Sequence, residues 1–533
     1  MRKSTLFCAV SLAAVLASPA GAQELSIGIS AEPSALDPHF HNLGPNNAMR
    51  RHTFESLLLQ DEQQRLHPGL ATSYEPIDDS TWEFKLREGV KFHDGSPFTA
   101  KDIVYTVCRI PTVENSPSSF TVYTKGIADL EIKDPHTLII KTNGPYPLLP
   151  VEVSAWGVLS ATANGVTGDI AFDPEGCTGI DSYPKTEDFN SGAALVGTGM
   201  FKFKQYSRGD KIVFERNEDY WGDKADWTTV TFRPITSDGP RVAALLAGDV
   251  DVIDNPPLQD LDRIKSEGFQ VAQGLSNRVI YLHLDHEAEP SPGITGTDKN
   301  PFKDIRVRKA VSMAINREAI VERIMNGIAV PAGELLPPGM FGATPGAEVE
   351  HYDPEGAKKL LAEAGYPDGF GLTIGSPNDR YINDAQVTQA VAQMLTRIGI
   401  QTQVDAVTAS TFFARRNAFE FSMYLAGWGS ATGEMSSPLR ALIATPDKAK
   451  GYGGTNRGRY SNPAMDALID KALATVDDDQ REAILQEASQ MAMQDYAILP
   501  LHFEVTPWAF RKGITYEPRA DQYTLALGVK PAN

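Results

Sequence analysis

The sequence predicts an α/β protein with more than one core, and three observations carry that reading. Period-2 alternation dominates the first part of the chain, as in Trp82, Phe84 and Leu86 set between Glu83, Lys85 and Arg87. From about residue 239 the period lengthens, and helical stripes alternate with short apolar strands. At 533 residues the chain is also too long to bury itself around one core.

The elements follow in order. Leu25 to Ser30 reads as a strand, followed by the loop Glu32-Pro-Ser-Ala-Leu-Asp-Pro38. The strand at Thr81–Arg87 turns at Glu88-Gly89, and Val90 and Phe92 flank Lys91 in a second short strand. Thr99 with Asp102 three residues on is a capping-box-like start for a helix carrying Ile103 and Val107. Phe201 and Phe203, then Ile212 and Phe214, form the two arms of a hairpin turned at Ser207 to Asp210. Arg241 to Ala247 reads as a helix closed by Gly248, with Val250 to Ile253 as the next strand. Pro301 to Asn316 starts another helix. Asp353-Pro354 is an N-cap with proline at N1, and Gly365 suits the end of that helix. Val387, Val391, Met394, Leu395 and Ile398 form a stripe that stops at Gly399, before a strand from 400 to 407. Leu372–Gly375 and Phe421–Leu425 are strands on either side of this unit.

The N-terminus predicts export. Arg2 and Lys3 precede an apolar run from Leu6 to Leu16, too short to span a membrane, and Ala20-Gly21-Ala22 fits a cleavage site. A leader over 1–22 and a soluble mature start at Gln23 follow, which in a two-membrane bacterium places the protein in the periplasm. Cys8 lies inside the apolar run and does not suit a lipid anchor. A formal net charge of −19 with no basic cluster argues against nucleic acid and against anionic lipid. Cys108 and Cys177 remain after the leader. An oxidising compartment permits a bond between them, worth roughly 4 kcal/mol for a loop of that length. Two separately buried thiols fit the spacing equally well.

Catalytic motifs are thin. Ser182-Tyr-Pro-Lys185 satisfies an S-x-x-K pattern, the basis of an alternative reading as a periplasmic serine hydrolase, but Pro184 disfavours the helix that chemistry needs. His39-x-His41 and His283-x-x-His286 are the close histidine pairs, and ordinary surface or capping roles fit them better than metal ligation. No cofactor is expected.

The order and spacing of Leu36-Asp-Pro38, the 81–102 segment, Gly197-Thr-Gly199, Tyr220-Trp-Gly222, the 304–317 helix and Gly427-Trp428 resemble the family 5 extracellular solute-binding proteins of ABC importers. The resemblance covers about residues 25 to 520. It implies a two-lobed periplasmic binding protein fold of the type II, large peptide-receptor class. Lobe I would hold 23–275, with an extra subdomain over about 53–190, and lobe II 276–502. Residues 503–533 would return to lobe I, with hinges near Gly274–Ser276 and Leu501–Phe503. The implied protein is a monomeric carrier of a peptide-like or opine-like solute. It would serve an ABC permease and, through it, ATPase subunits. A metal or metallophore carrier of the same family is the alternative.

The same resemblance points to site residues. Arg380 and Tyr381 lie in the loop after the Leu372–Gly375 strand, where open sheets place ligands, and a guanidinium fork pairs bidentately with carboxylate. Trp428 would be an apolar wall, with Ser430, Thr432 and Glu434 as polar readers. Across the cleft the Ala35-Leu36-Asp37 loop would meet the ligand. The family's peptide receptors grip the ligand α-ammonium with an aspartate three residues after this tryptophan, and here that position is Ala431.

Overall fold

Two long strands, Gln270–Leu284 and Leu499–Phe510, run antiparallel through a 12-stranded sheet that serves both halves of the molecule. The computed structural model describes residues 23–532; the expected leader lies outside the described residues. Along one half, the end of the second long strand pairs with Val252–Asp254, which lies parallel to Glu24–Ile29. Beyond it come Thr229–Pro234, Lys211–Arg216 and Phe201–Ser207. This is lobe I. Along the other half, Gln270–Leu284 pairs with Met423–Gly429, followed by the parallel strands Gly371–Pro377 and Gln401–Val407. This is lobe II, and helices cover both faces of its sheet. Val387, Val391 and Leu395 of the helix Asp384–Arg397 pack on one face, and Phe412, Ile469 and Leu485 on the other.

Between the halves the pairing slips. Leu275 opposes Val505 and Val279 opposes Phe503, so Ser276, Asn277 and Arg278 bulge against Glu504 alone. A bulge bends and twists the strand that carries it, and this one sits where the sheet passes from lobe I to lobe II.

A separate antiparallel sheet of Ala71–Asp78, Thr81–Leu86, Thr137–Thr142 and Ile127–Asp134 forms the subdomain. Trp82, Phe84 and Leu86 are buried in its core with Ile103 and Val107 of the helix Ala100–Arg109. Asp102 fixes the start of that helix by accepting the Thr99 N–H at 2.8 Å. It also accepts the Ala161 N–H at 2.8 Å. Cys108, at the end of the helix, is bonded to Cys177. Val90 and Phe92 do not form the expected second strand. Gly89 and Gly95 take left-handed turns there, and the segment keeps only a single bridge, Lys91 to Pro97. The motif Gly197-Thr-Gly199 has a steric origin: a Cβ at either glycine would lie within 2.0–2.7 Å of the Thr53 or His52 carbonyl oxygen.

Candidate functional site

The loop that follows Gly371–Pro377 is pinned by the helix it feeds. Asp384, in the first turn, accepts both the Arg380 and the Tyr381 N–H at 3.0 Å. This presents Arg380 outward, exposed, its guanidinium stacked 5.1 Å over the Tyr381 ring. No carboxylate lies within ion-pair distance of it among the described residues. The Tyr381 hydroxyl donates to the Gly427 carbonyl at 3.3 Å, and a Cβ at 427 would strike that ring. Glycine at 427 thus lets the end of strand Met423–Gly429 close up beside Tyr381. Trp428 follows, half-buried, its Nε1–H donating to Ser437 Oγ at 3.2 Å. Arg380, Tyr381 and Gly427 therefore form one constellation, while the Trp428 ring packs with Tyr424 and Ala426 on the other face of the strand.

The polar residues after Trp428 behave differently. Ser430 is buried, and its hydroxyl turns back to the Glu434 carbonyl at 3.1 Å and accepts the Glu434 N–H at 3.2 Å. Glu434 is also buried. Arg481 Nη1 donates to it at 2.9 Å, and the Ser436 hydroxyl donates to its other oxygen. Burial alone would lower the Arg481 pKa, but Glu434 and Asp478 outweigh it and hold the guanidinium above its usual range. Ser430 and Glu434 thus bond within the protein and close their own loop. Thr432 stays half-buried, and Ala431 is exposed.

The expected lobe I contact lies in a buried loop. Ala35, Leu36 and Asp37 are all buried. Asp37 accepts Arg109 Nη1 and Nη2 at 2.6 Å each, and the Thr186 hydroxyl at 2.8 Å. Burial would raise the Asp37 carboxyl, but the Arg109 pairing outweighs it and holds the pKa below the ordinary value. His39, packed against this pair, is lowered to about 3 by burial and by Arg109. A charge so committed has no capacity left for a solute.

Lobe I reaches the Trp428 loop through a residue that sequence reasoning missed. Gln64, in the turn after Leu58–Gln60, donates from Nε2 to the carbonyls of Ser430 and Ala431 at 3.2 and 3.3 Å. Its Oε1 accepts from Asn277 of the bulge at 2.7 Å, and Asn277 also donates to the Ser430 carbonyl at 2.7 Å. Gln64 holds a left-handed backbone, φ 62°, which a non-glycine residue keeps only under constraint. Beside it Arg278 bonds Glu504 at 3.3 Å and Gln522 at 3.2 Å, tying the C-terminal segment to the bulge. Leu43, ahead of the helix Gly44–Arg50, is an exposed apolar residue of lobe I. Nothing local in the sequence marks Gln64.

The remaining motifs are absorbed by structure. His39 Nε2 lies 2.9 Å from the Gly157 carbonyl, His41 Nδ1 3.0 Å from Ser34 Oγ, His283 Nδ1 2.8 Å from the Tyr424 hydroxyl and His286 Nε2 3.0 Å from the Ala497 carbonyl. Among the described residues no group of three or more His, Cys, Asp or Glu is arranged to hold a metal. Ser182 lies in irregular chain and Lys185 precedes the short helix Thr186–Ser191, so the two do not share a helix.

Comparison with known proteins fixes the class. Residues 65–450 match the family described as bacterial extracellular solute-binding proteins, family 5, middle. The chain belongs to that family: it is a solute-binding component of an ABC importer, not an enzyme. It is 28% identical to the periplasmic oligopeptide-binding protein OppA of Salmonella typhimurium, over 95% of each chain. It is 27% identical to the glutathione-binding protein GsiB of Escherichia coli, over 93% of this chain and 91% of that one. Among solved structures, HbpA2 from Haemophilus parasuis superposes with a TM-score of 0.79 at 23% identity, covering 96% of this chain and 100% of that one.

Proposed function

We propose that the chain captures an anionic, peptide-like or opine-like solute without a free α-ammonium, in the cleft between its lobes. It then delivers that solute to an inner-membrane ABC permease and its ATPase subunits. One observation carries the reading. Among the described residues Arg380 is an exposed guanidinium with no carboxylate in ion-pair distance, while Glu434, Glu504 and Asp37 are each matched to an arginine. Arg380 is the unmatched cation beside Tyr381, and Asp379 next to it already accepts the Ala409 N–H at 2.7 Å. An ammonium gripped three residues after Trp428 would meet Ala431, and an unpaired buried ammonium costs several kcal/mol.

The rest of the reading follows from closure. The lobes, at 23–275 with 503–533 and at 276–502, rotate about the bulge at Ser276–Arg278. A solute held by Arg380 beside Tyr381 favours the closed state only through contacts that the open state lacks. The protein works as a monomer in the periplasm after loss of the 1–22 leader. Among the described residues no helix is long and apolar enough to cross a membrane. The relatives named for oligopeptides and glutathione support a peptide-like ligand class.

A thermal-shift panel of free and N-acetylated di- and tripeptides tests the proposal, with native mass spectrometry of freshly purified protein to find a co-purified solute. The N-acetylated forms should stabilise the protein more than the free ones, and Ala431→Asp should reverse that order. Tight binding of free dipeptides by the unaltered chain would overturn it.

A further inference from the structure

A cavity of about 360 Å³ lies between the subdomain and lobe II. Arg380, Tyr381 and Trp428 take no part in it. Tyr74, Trp82 and Val151 form the wall on the subdomain side, and Met340, Phe341 and Val476 the wall on lobe II. Its size is within the range that encloses a small organic group. Tyr74, on the otherwise exposed strand Ala71–Asp78, offers its ring to this space while 37% exposed, its centroid 6.2 Å from that of Trp82. Across the gap the Arg481 guanidinium stacks 4.2 Å from the centre of the Phe341 ring.

Charge decides what fits. Four charged side chains touch the cavity, and each is compensated within the protein. Arg481 bonds Glu434 at 2.9 Å and Asp478 at 3.0 Å, and Arg65 bonds Asp61 at 2.9 Å. An added ion would find no free counter-charge and would lose its hydration. A neutral ring would find aromatic side chains on both sides, and offset or edge contacts between rings favour it beyond the area they bury.

We propose that this cavity is a binding site for a neutral, ring-bearing apolar group, the second place at which a solute grips both lobes. The use of the site in transport rests on the solute-binding reading above; the occupancy does not. Because its walls come from different lobes, an occupant stabilises closure without touching Arg380. The Thr432–Glu434 segment, which follows Trp428 in the chain, forms part of the same wall and joins the two places.

N-acetyl-L-phenylalaninamide, which has a ring and no charge, is the probe, and N-acetylglycinamide is its ringless control. Titration of the full chain by saturation-transfer NMR should give signal from the ring protons and little from the control. Val476→Trp, which fills the cavity from lobe II, and Tyr74→Ala, which removes a wall from the subdomain, should each raise the Kd at least tenfold. Both positions are at least partly exposed, and circular dichroism checks that the variants fold. Arg380→Ala should leave this probe unaffected while weakening an anionic solute, so the two proposals fail separately. Equal binding of probe and control, or a Kd unmoved by both cavity variants, would overturn the site.

Discussion

At the scale of single residues, what separates a binding group from a structural one is whether its charge is already spent. Arg380 is exposed and unmatched, so Arg380→Ala should weaken anionic solutes at least tenfold, in line with roughly 1.5–3 kcal/mol for a charge-assisted contact. Calorimetry should find it, with the melting temperature of the free protein nearly unchanged. Glu434 predicts the opposite. Glu434→Gln leaves Arg481 buried beside a neutral amide, with Asp478 still in reach, so the loss should fall near the lower end of the roughly 3–5 kcal/mol for breaking a buried pair. Solute affinity measured below the transition should hold; a lost affinity at unchanged stability would make Glu434 a ligand contact after all. The placement of Arg380 in a loop was legible because a strand, a loop and an amphipathic helix follow one another locally. The fates of Asp37 and Glu434 were not. Their partners Arg109 and Arg481 lie 72 and 47 residues away, and no local pattern encodes such a distance.

Elements were read best where periodicity and a cap agreed. The helix Pro354–Glu363 begins where Asp353 accepts the Gly356 N–H at 2.8 Å and stops before Gly365, which has a φ of 97°. The long strand Gln270–Leu284 was not visible as one element. Its first half is partly exposed, its second half is buried on both faces and its middle is a bulge, so no single period runs through it. The disulfide could not be decided from spacing either, because Cys108 sits on a helix and Cys177 in a loop brought alongside by the subdomain core. Its consequence is calculable. Opening a loop with a sequence separation of 69 frees chain entropy worth roughly 4 kcal/mol in the unfolded state. Replacing both cysteines by serine should therefore lower subdomain stability by up to that amount, seen as earlier hydrogen exchange in Ala100–Arg109, while the lobe II sheet keeps its protection. Uniform loss of protection across both lobes would show that the subdomain does not unfold as a separate unit.

For the molecule as a whole, the interface between subdomain and lobe II carries a buried acid that makes stability depend on pH. Both oxygens of Glu152 accept from the Tyr146 hydroxyl, at 2.9 and 2.8 Å, and the side chain is buried. Burial raises its pKa from 4.5 to about 7; Tyr146, Arg440 and Lys125 pull it down, and Glu434 pushes it up. Arg440 and Glu434 belong to lobe II, so this carboxyl senses the opposite lobe. Its folded pKa lies above its unfolded one, so the folded state holds the proton more tightly. The resulting stability is complete below about pH 4.5 and is lost as pH rises through 7. The span between those two values corresponds to at most roughly 3 kcal/mol. Buried histidines act in the other direction. His52, His93, His286 and His502, each lowered to about 4 chiefly by burial, favour the fold above pH 6.5 and cost stability as pH falls toward 4. Glu152→Gln stays neutral and can still accept from Tyr146, and the histidine contribution cancels when variant and wild type are compared. Denaturant titrations should therefore find the two equally stable near pH 4.5 and the variant more stable at pH 8, the gap opening between. A gap that stays constant from pH 4.5 to 8 would mean that Glu152 ionises like an exposed carboxyl and that the interface is open to water.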